Sequence, residues 1–242
     1  DVTRDMNEAE SHTAFFQSRG LHGVIIPPGS NNRRLCLDIA AEGFPSVTIA
    51  ERFEELNVAY VCCDTLDASE RAVEHLIDLG HERIGLAMPP FTDHDHEDRY
   101  AGYRRALKNR EIEFDESLVV RVDPTPEGGV AALNELLSKR EPPTAIFFTD
   151  PYPAIGALSR AQAAGLSVPG QLSVLGFDDG RMRRQPTEEL GYEAGSWMLS
   201  AIGGRAESPI RRLLPATLEI NQTTGVPTGA PVRVQPDGMQ LT

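Results

Sequence analysis

Short apolar runs alternate with amphipathic stretches along most of the chain. Seven of these runs have the length of a β-strand, and they span residues 22–27, 46–50, 58–63, 83–88, 118–122, 144–148 and 172–177. Between them, apolar residues recur three or four positions apart, as in Ala68, Ala72 and Leu76, which is typical of helices that bury one face. Strand and helix units that alternate every ~30 residues favour βαβ crossovers. The pattern therefore predicts an α/β fold built on mostly parallel, doubly wound sheets.

Length and charge narrow the possible functions. A chain of 242 residues is long enough for one large α/β domain or for two lobes. Its 23 Lys and Arg residues against 36 Asp and Glu residues give a net charge of −13, which repels a phosphate backbone. We therefore expect this chain by itself to bind DNA poorly. No apolar run reaches the ~18 residues of a transmembrane helix, so no membrane span is predicted.

The cysteines give an indication of the compartment. Cys36, Cys62 and Cys63 form an odd set with a vicinal pair inside an apolar run. Disulfide frameworks of secreted chains normally use an even number of spaced cysteines. The pattern therefore favours a reducing environment, and a cytoplasmic location is predicted.

Carboxylates follow most of the predicted strands. They are Glu51, Asp64, Asp123, Asp150 and the pair Asp178 and Asp179. In an open α/β sheet, ligands bind beyond the carboxyl ends of the strands. Ionised carboxylates accept strong hydrogen bonds from hydroxyl groups, so this pattern suits sugars and nucleosides. The alternative is that each carboxylate caps the helix that follows it.

Signatures of catalysis and of cofactor binding are missing from the sequence. It has no G-x-G-x-x-G after a strand, no glycine loop ending in Lys-Ser or Lys-Thr, no G-x-S-x-G and no H-E-x-x-H. We therefore predict neither an enzyme nor a cofactor.

One cluster has the composition of a metal site, because residues 94–98 read His-Asp-His-Glu-Asp. Imidazole and carboxylate groups bind zinc and other divalent ions. A metal site needs three or four converging ligands, and five consecutive loop residues cannot all converge. A solvated loop is therefore the favoured interpretation, and no metal site is predicted.

The basic and aromatic residues point to structural roles. Basic residues cluster within 181–184 and again at Arg211 and Arg212, without interleaved aromatic residues, so a solvated surface is predicted for both clusters. Trp197 lies among apolar residues in 188–202, which predicts a place in the core or at a subunit interface.

Four segments in the same order along the chain carry a family resemblance. Residues 73–85 read VEHLIDLGHERIG, residues 99–103 read RYAGY, residues 143–150 read PTAIFFTD and residues 168–179 read VPGQLSVLGFDD. Together they resemble the signature segments of the LacI/GalR-type transcriptional regulators. Because the four motifs stay in register over most of the chain, the resemblance is specific.

The resemblance implies a fold and a function. The fold is the periplasmic-binding-protein-like effector domain, with two parallel-sheet lobes that close over a small ligand about a hinge crossed more than once. The lobes would take residues 1–63 with 181–214, and residues 64–180 with 215–242, with hinge positions at Asp64 and Pro215. The family binds a sugar or nucleoside-like effector, forms homodimers and contacts operator DNA through a headpiece that this chain lacks. An extracytoplasmic sugar-binding protein of a transporter shares the fold and is the alternative.

The resemblance also indicates which residues would line the ligand pocket. The resemblance implies ligand-binding roles for Arg99, Asp178, Thr149, Glu51, Asp123 and Tyr152. Arg99 would clamp neighbouring ligand oxygens with its forked guanidinium, and its alternative role is an ion pair with Asp98 or another carboxylate. Asp178 would accept hydrogen bonds from ligand hydroxyls, and its alternative role is a strand-end cap.

Three positions depart from the family pattern. Thr149 stands where the family usually carries a ligand-binding Asn, and Glu51 stands where it often has Asp. Pro124 follows Asp123 at a position that is often aromatic. Candidate replacements for a stacking platform are Tyr152, Phe148 and Tyr100, and core packing is the favoured role of Phe148.

Two family segments have no counterpart in the sequence. The family's first strand and helix would precede Asp1, and a further strand would follow Asp179 before Gln185. Four or five extended residues are too short to replace a strand that crosses between lobes. We therefore expect that the chain omits segments at both places.

Overall fold

A computed structural model describes residues 5–6, 10–27, 32–55, 57–90, 93–177, 185–229 and 231–233. For residue 32 and residues 185–188 it describes the backbone alone. The backbone divides into two compact units. Unit 1 comprises Asp1–Asp64 and Arg183–Pro215, and unit 2 comprises Thr65–Met182 and Ala216–Thr242. The predicted gap after Asp179 and the predicted basic cluster at 181–184 lie outside the described residues.

Unit 1 is a four-stranded parallel sheet with helices on both faces. Its elements are α1 (His12–Gln17), β1 (Val24–Ile26), α2 (Asn32–Ala41), β2 (Ser46–Ile49), β3 (Ala59–Asp64), α7 (Gln185–Ile202) and β8 (Arg211–Pro215). The strand order is β1-β2-β3-β8. Side chains along β3 point alternately to the two faces of the sheet. Tyr60 and Cys62 pack with α1 and α2 on one face, and Val61 packs with α7 on the other. Both faces are therefore buried, as a parallel sheet requires.

Unit 2 repeats this architecture. Its elements are α3 (Thr65–Asp78), β4 (Ile84–Met88), α4 (His94–Asn109), a 3₁₀ turn (Glu116–Leu118), β5 (Val119–Arg121), α5 (Pro126–Leu137), β6 (Ala145–Phe148), α6 (Pro151–Ala163) and β7 (Ser173–Gly176). The strand order is β5-β4-β6-β7, all parallel. Ile146 and Phe148 of β6 pack with α5 and α6, whereas Phe147 packs with α3 and α4. The predicted α/β class with two parallel-sheet lobes is confirmed.

The first signature segment, residues 73–85, has a structural role in unit 2. Leu76 and Ile84 are buried in the core, and Gly80 ends α3 with a left-handed φ of 96°. The buried His81 ring bonds the Thr144 hydroxyl at 2.8 Å through Nδ1 and the Gly225 carbonyl at 3.0 Å through Nε2. Burial lowers the pKa of His81 and keeps the ring neutral. The segment therefore fixes α3, β6 and the chain near residue 225 to one another.

The structure adds one strand that was not predicted and overturns one expectation about local structure. The apolar pattern did not indicate β8, which pairs with β3. Its first two residues, Arg211 and Arg212, are exposed, as predicted for this basic cluster. Residues 94–98 do not form a loop, because they begin α4. Asp93 is the N-cap of this helix and accepts a hydrogen bond from the backbone N–H of His96 at 3.0 Å. That capping bond explains why a run of polar residues is helical.

Three further residue sets have defined places. Trp197 is half-buried, packs against the unit 1 core and donates its indole N–H to the Ser208 carbonyl at 3.1 Å. Cys36, Cys62 and Cys63 are free thiols. Across the described ranges, no helix is both long and apolar enough to cross a membrane.

Candidate functional site

The carboxyl edge of the unit 2 sheet gathers polar side chains from neighbouring strands. Chain segments leave β4 toward α4, leave β6 toward α6, and follow β5 and β7 at the two ends of the sheet. Because all four strands are parallel, the residues after each strand lie along one edge. This edge is where ligands bind in open α/β sheets.

Arg99 lies on the second turn of α4 and is buried, with 8% of its surface exposed. One terminal nitrogen donates to the Thr149 carbonyl at 2.7 Å, and the other lies 3.5 Å from the Asp95 carboxylate. The guanidinium stacks on the Phe177 ring at 4.2 Å. Its Nε is buried and has no hydrogen-bond partner among the described residues. An unsatisfied buried donor costs free energy, so this nitrogen calls for an acceptor that the described residues do not supply.

Asp95, which faces Arg99, is a carboxylate under opposing influences. Burial raises its pKa to about 6, although the positive charge of Arg99 acts in the other direction. Because the pair belongs to one helix at positions i and i+4, Asp95 also fixes the Arg99 side chain. The ion pair predicted as the alternative role of Arg99 therefore exists, with Asp95 as the partner.

Thr149 follows β6 directly and is fully buried. Its hydroxyl donates to the Asp150 carboxylate at 2.8 Å, and its backbone N–H donates to the Ala87 carbonyl at 3.0 Å. The hydroxyl is therefore already used within the chain. What Thr149 presents to its surroundings is the carbonyl that Arg99 binds.

His96 links the first turn of α4 to the start of α6. Its Nδ1 lies 2.6 Å from Asp93, and its Nε2 lies 3.1 Å from Asp150. Burial lowers the pKa of His96, but the hydrogen bonds to Asp150 and Asp93 outweigh it and raise the pKa to about 9. Burial likewise works against the ionised form of Asp150, yet the His96 hydrogen bond lowers the pKa of that carboxyl. His96 is therefore a cation held between two anions at neutral pH.

The other predicted site residues are distributed over both units. Asp123 is exposed after β5, and Tyr152 is exposed on the first turn of α6. Glu51 belongs to unit 1, is largely buried and lies 3.9 Å from Arg33. Asp178 lies outside the described residues. The structure thus brings together Arg99 and Thr149, and it places Asp123 and Tyr152 after strands of the same sheet.

Two hinge positions were predicted, and both end a strand in unit 1. Asp64 is the last residue of β3, and Pro215 is the last residue of β8. The two are paired in the β3–β8 ladder, so the chain leaves the sheet at two adjacent points.

Sequence reasoning missed the bridging role of His96. The alternation of imidazole and carboxylate in 94–98 draws attention to His96, but both of its partners, Asp93 and Asp150, lie outside this run. Within the part of the chain that the structure describes, no group of three or more His, Cys, Asp or Glu residues could hold a metal ion. His96 pairs instead with Asp150, which is 54 residues away, and such a contact cannot be read from local spacing.

Comparison with known proteins identifies the family of this chain. A family model described as a periplasmic binding protein-like domain matches residues 73–224. The chain is 34% identical over 205 residues to the HTH-type transcriptional repressor CytR of Escherichia coli K12. This alignment covers 79% of the chain and 60% of CytR. It is 32% identical over 179 residues to the HTH-type transcriptional regulator CelR of Thermobifida fusca. This alignment covers 70% of the chain and 53% of CelR. The chain therefore spans between half and two thirds of the length of these curated relatives.

Solved structures give the same grouping. A transcriptional regulator CelR–cellobiose complex superimposes with a TM-score of 0.76 and 28% identity, covering 86% of this chain and 68% of that one. A LacI family transcriptional regulator from Mycobacterium smegmatis superimposes with a TM-score of 0.73 and 28% identity, covering 88% and 82%.

Proposed function

Because the chain belongs to the periplasmic-binding-protein-like family, in the form found in LacI-type transcriptional regulators, we propose that it is the effector-sensing and dimerisation domain of such a regulator. It binds a small polar metabolite and catalyses no reaction. The relatives named as a transcriptional repressor and a transcriptional regulator support a regulator over the alternative, a transporter's extracytoplasmic sugar-binding protein.

The observation that carries this proposal is the environment of Arg99. Its guanidinium is held rigidly by Thr149 and Asp95 and stacked on Phe177, while the buried Nε donor has no partner among the residues described. A donor fixed in this way can select one acceptor of a bound molecule, because the cost of orienting it is met when the chain folds. A hydroxyl or ring oxygen of a ligand supplies such an acceptor.

The charges at this edge of the sheet favour an uncharged polyhydroxy compound. Asp93 and Asp150 hold the His96 cation between them, and the Arg99 cation lies beside Asp95. Asp123 adds an exposed carboxylate after β5. Asp95 adds negative charge above pH 6, because its pKa is about 6. A phosphate ester would meet this excess of negative charge and be repelled, whereas hydroxyl groups would find acceptors. The cellobiose complex of the related CelR supports a sugar as the ligand class.

The remaining residues take roles around Arg99. Asp178 and Asp123 accept hydrogen bonds from ligand hydroxyls, and Tyr152 offers an aromatic face. For Glu51, a residue of unit 1, the family resemblance is the support for a ligand-binding role. Thr149 acts through its carbonyl, which orients Arg99, since its hydroxyl is bound to Asp150.

Regulation requires that the effector favours one arrangement of the chain over another. Asp64 and Pro215 are the proposed hinge positions, where the chain leaves the unit 1 sheet. A homodimer would transmit the change to a DNA-binding headpiece on an operator in the cytoplasm. A coupling free energy of about 1–3 kcal/mol between effector and DNA is typical of such systems.

Thermal-shift screening tests the proposal. The folded chain is heated with a panel of uncharged sugars, polyols and nucleosides, and with the phosphate ester of each hit as a matched control. A ligand at 100 times its dissociation constant adds about 2.7 kcal/mol of stability, which raises the melting temperature measurably. We expect stabilisation by an uncharged compound and a weaker effect of its phosphate ester. Lack of any stabilising compound, or turnover of one of them, would contradict the proposal.

A further inference from the structure

His96 joins two chain segments that each carry a residue of the candidate site. Asp93 precedes α4, the helix of Arg99, and Asp150 follows Thr149 at the start of α6. The ring lies between the two carboxylates, at 2.6 Å from Asp93 and 3.1 Å from Asp150. A carboxylate only accepts hydrogen bonds, so both ring nitrogens must carry protons to satisfy this geometry.

These contacts close a cycle with the Arg99 contact. From His96 the path runs through the Asp150 carboxylate to the Thr149 hydroxyl at 2.8 Å. From the Thr149 carbonyl it returns to Arg99 at 2.7 Å, three residues after His96 on α4. The geometry of Arg99 relative to the end of β6 is therefore set by two independent links.

We propose that His96 is a positioning residue: its bridge between Asp93 and Asp150 ties α4 to the β6–α6 junction and so holds the Arg99 guanidinium in place for an effector. The consequence for an effector rests on the proposed function. The bridge itself does not, because all of its partners belong to this chain.

Other structural features are weaker explanations of this arrangement. Asp93 already caps α4 through the backbone N–H of His96, so an α4 cap needs no imidazole ring. The side chain of Asp150 makes no capping bond to α6, although it stands at the N-cap position. Its carboxylate is instead used by His96 and Thr149, which is the arrangement expected of a link between segments.

The charge of His96 makes the bridge sensitive to alkaline pH. The titratable and charged groups around the ring are Asp93, Asp95 and Arg99 from the α4 region and Asp150 from the start of α6. The folded pKa of about 9 lies above the ~6.5 of an unperturbed histidine. The contribution to stability is therefore complete below pH ~6.5 and is lost as the pH rises through about 9.

Amide hydrogen exchange measured by NMR at pH 7 tests the bridge without any ligand. Two amides report on its two ends: Glu97 N–H is bonded to the Asp93 carbonyl, and Thr149 N–H is bonded to the Ala87 carbonyl. In His96→Gln we expect both amides to exchange about tenfold faster or more, since a hydrogen bond to a charged group is lost at each end. His94→Gln is the matched control, because His94 begins the same helix and its ring lies 3.9 Å from Glu97 on that helix. It should change neither amide by as much.

The outcomes separate the possible roles of His96. Faster exchange at Glu97 alone would show a helix cap without a bridge and would overturn the proposal. If His96→Gln does not fold, the wild-type ring is titrated by NMR instead. A His96 that stays protonated at pH 8 supports the bridge, and one that titrates near 6.5 overturns it.

A second experiment tests the consequence of the bridge for effector binding. It uses the compound that raises the melting temperature most in the screen of sugars, polyols and nucleosides. Its affinity for the wild type should fall by about fivefold or more between pH 7 and pH 10, the low end of typical coupling between sites, and should be nearly flat for His96→Gln. Equal pH profiles of the two proteins would overturn the positioning role. A screen without any hit would overturn the proposed function, while the exchange experiment would still decide whether the bridge exists.

Discussion

At the scale of single residues, Arg99 differs from the other arginines of α4 in what surrounds it. Arg104 and Arg105 are exposed, whereas Arg99 is enclosed by Thr149, Asp95 and Phe177. A planar guanidinium can serve the Thr149 carbonyl and a ligand atom at the same time. An ammonium group is a point charge and cannot reproduce this fork.

Arg99→Lys should therefore weaken binding of the screened compound by at least about tenfold, with a smaller effect on folding. Isothermal titration calorimetry at pH 7 gives the affinity. Arg104→Lys on the same helix is the control, because its side chain stacks on Phe114 away from the site. Equal affinities of Arg99→Lys and the wild type would show that Arg99 has no contact with the ligand.

Thr149 gives a second test at this scale. Thr149→Val keeps the shape of the side chain but removes the hydroxyl that donates to Asp150. We expect a loss of about 1 kcal/mol in the free energy of unfolding, measured with urea. Thr149→Ser, which keeps the hydroxyl, is the control and should retain the bond. A Val variant as stable as the Ser variant would mean that the hydroxyl bond contributes nothing.

At the scale of elements, α5 and α6 approach each other through glycines. A Cβ on Gly129 of α5 would lie 1.9 Å from the Pro153 carbonyl of α6, and a Cβ on Gly156 of α6 would lie 1.9 Å from the Pro126 carbonyl of α5. Both obstacles are backbone atoms, which cannot move without displacing a helix. This crossing positions the start of α6, and with it Asp150.

Gly129→Ala and Gly156→Ala should each lower the free energy of unfolding by about 2–4 kcal/mol, because the helices must separate. Gly191→Ala on α7 is the control, since a Cβ there meets no described atom within 4 Å. It should be neutral or should stabilise by up to about 1 kcal/mol through helix propensity. Urea unfolding followed by circular dichroism measures all three variants. Similar stabilities for the three would contradict the close crossing.

The alternation of apolar runs was enough to predict the α/β class and parallel strands, because each central strand is buried on both faces. The division into two sheets followed from the family resemblance. It could not predict β8, whose exposed Arg211 interrupts the apolar pattern. That side chain donates to the Phe53 carbonyl at 2.8 Å, and it belongs to a strand at the edge of the sheet. Nor could it predict the start of α4, where a polar run is helical because Asp93 caps it.

The candidate site was predictable in part. Motif position indicated Arg99, and the structure shows a buried guanidinium whose Nε has no hydrogen-bond partner among the described residues. The use of the Thr149 hydroxyl by Asp150, and the contact of His96 with Asp150, depend on side chains that meet only when β4 and β6 pair. Local sequence patterns carry no information on such contacts.

At the scale of the whole molecule, the net charge of −13 weighs against direct contact of this chain with DNA. A surface this acidic repels a phosphate backbone. We expect no binding of the isolated chain to a 30-base-pair duplex at ~0.15 M salt, by fluorescence anisotropy. A relative with its headpiece attached is the positive control. Binding by the isolated chain that weakens as salt is added would contradict this view.

We propose that an uncharged polyhydroxy compound binds at the carboxyl edge of the unit 2 sheet, against Arg99. A crystal structure of the chain with the best compound of the thermal-shift screen tests it most directly. We expect a ligand oxygen within about 3.2 Å of the Arg99 Nε. A compound bound elsewhere on the chain, with that nitrogen still lacking an acceptor, would contradict it.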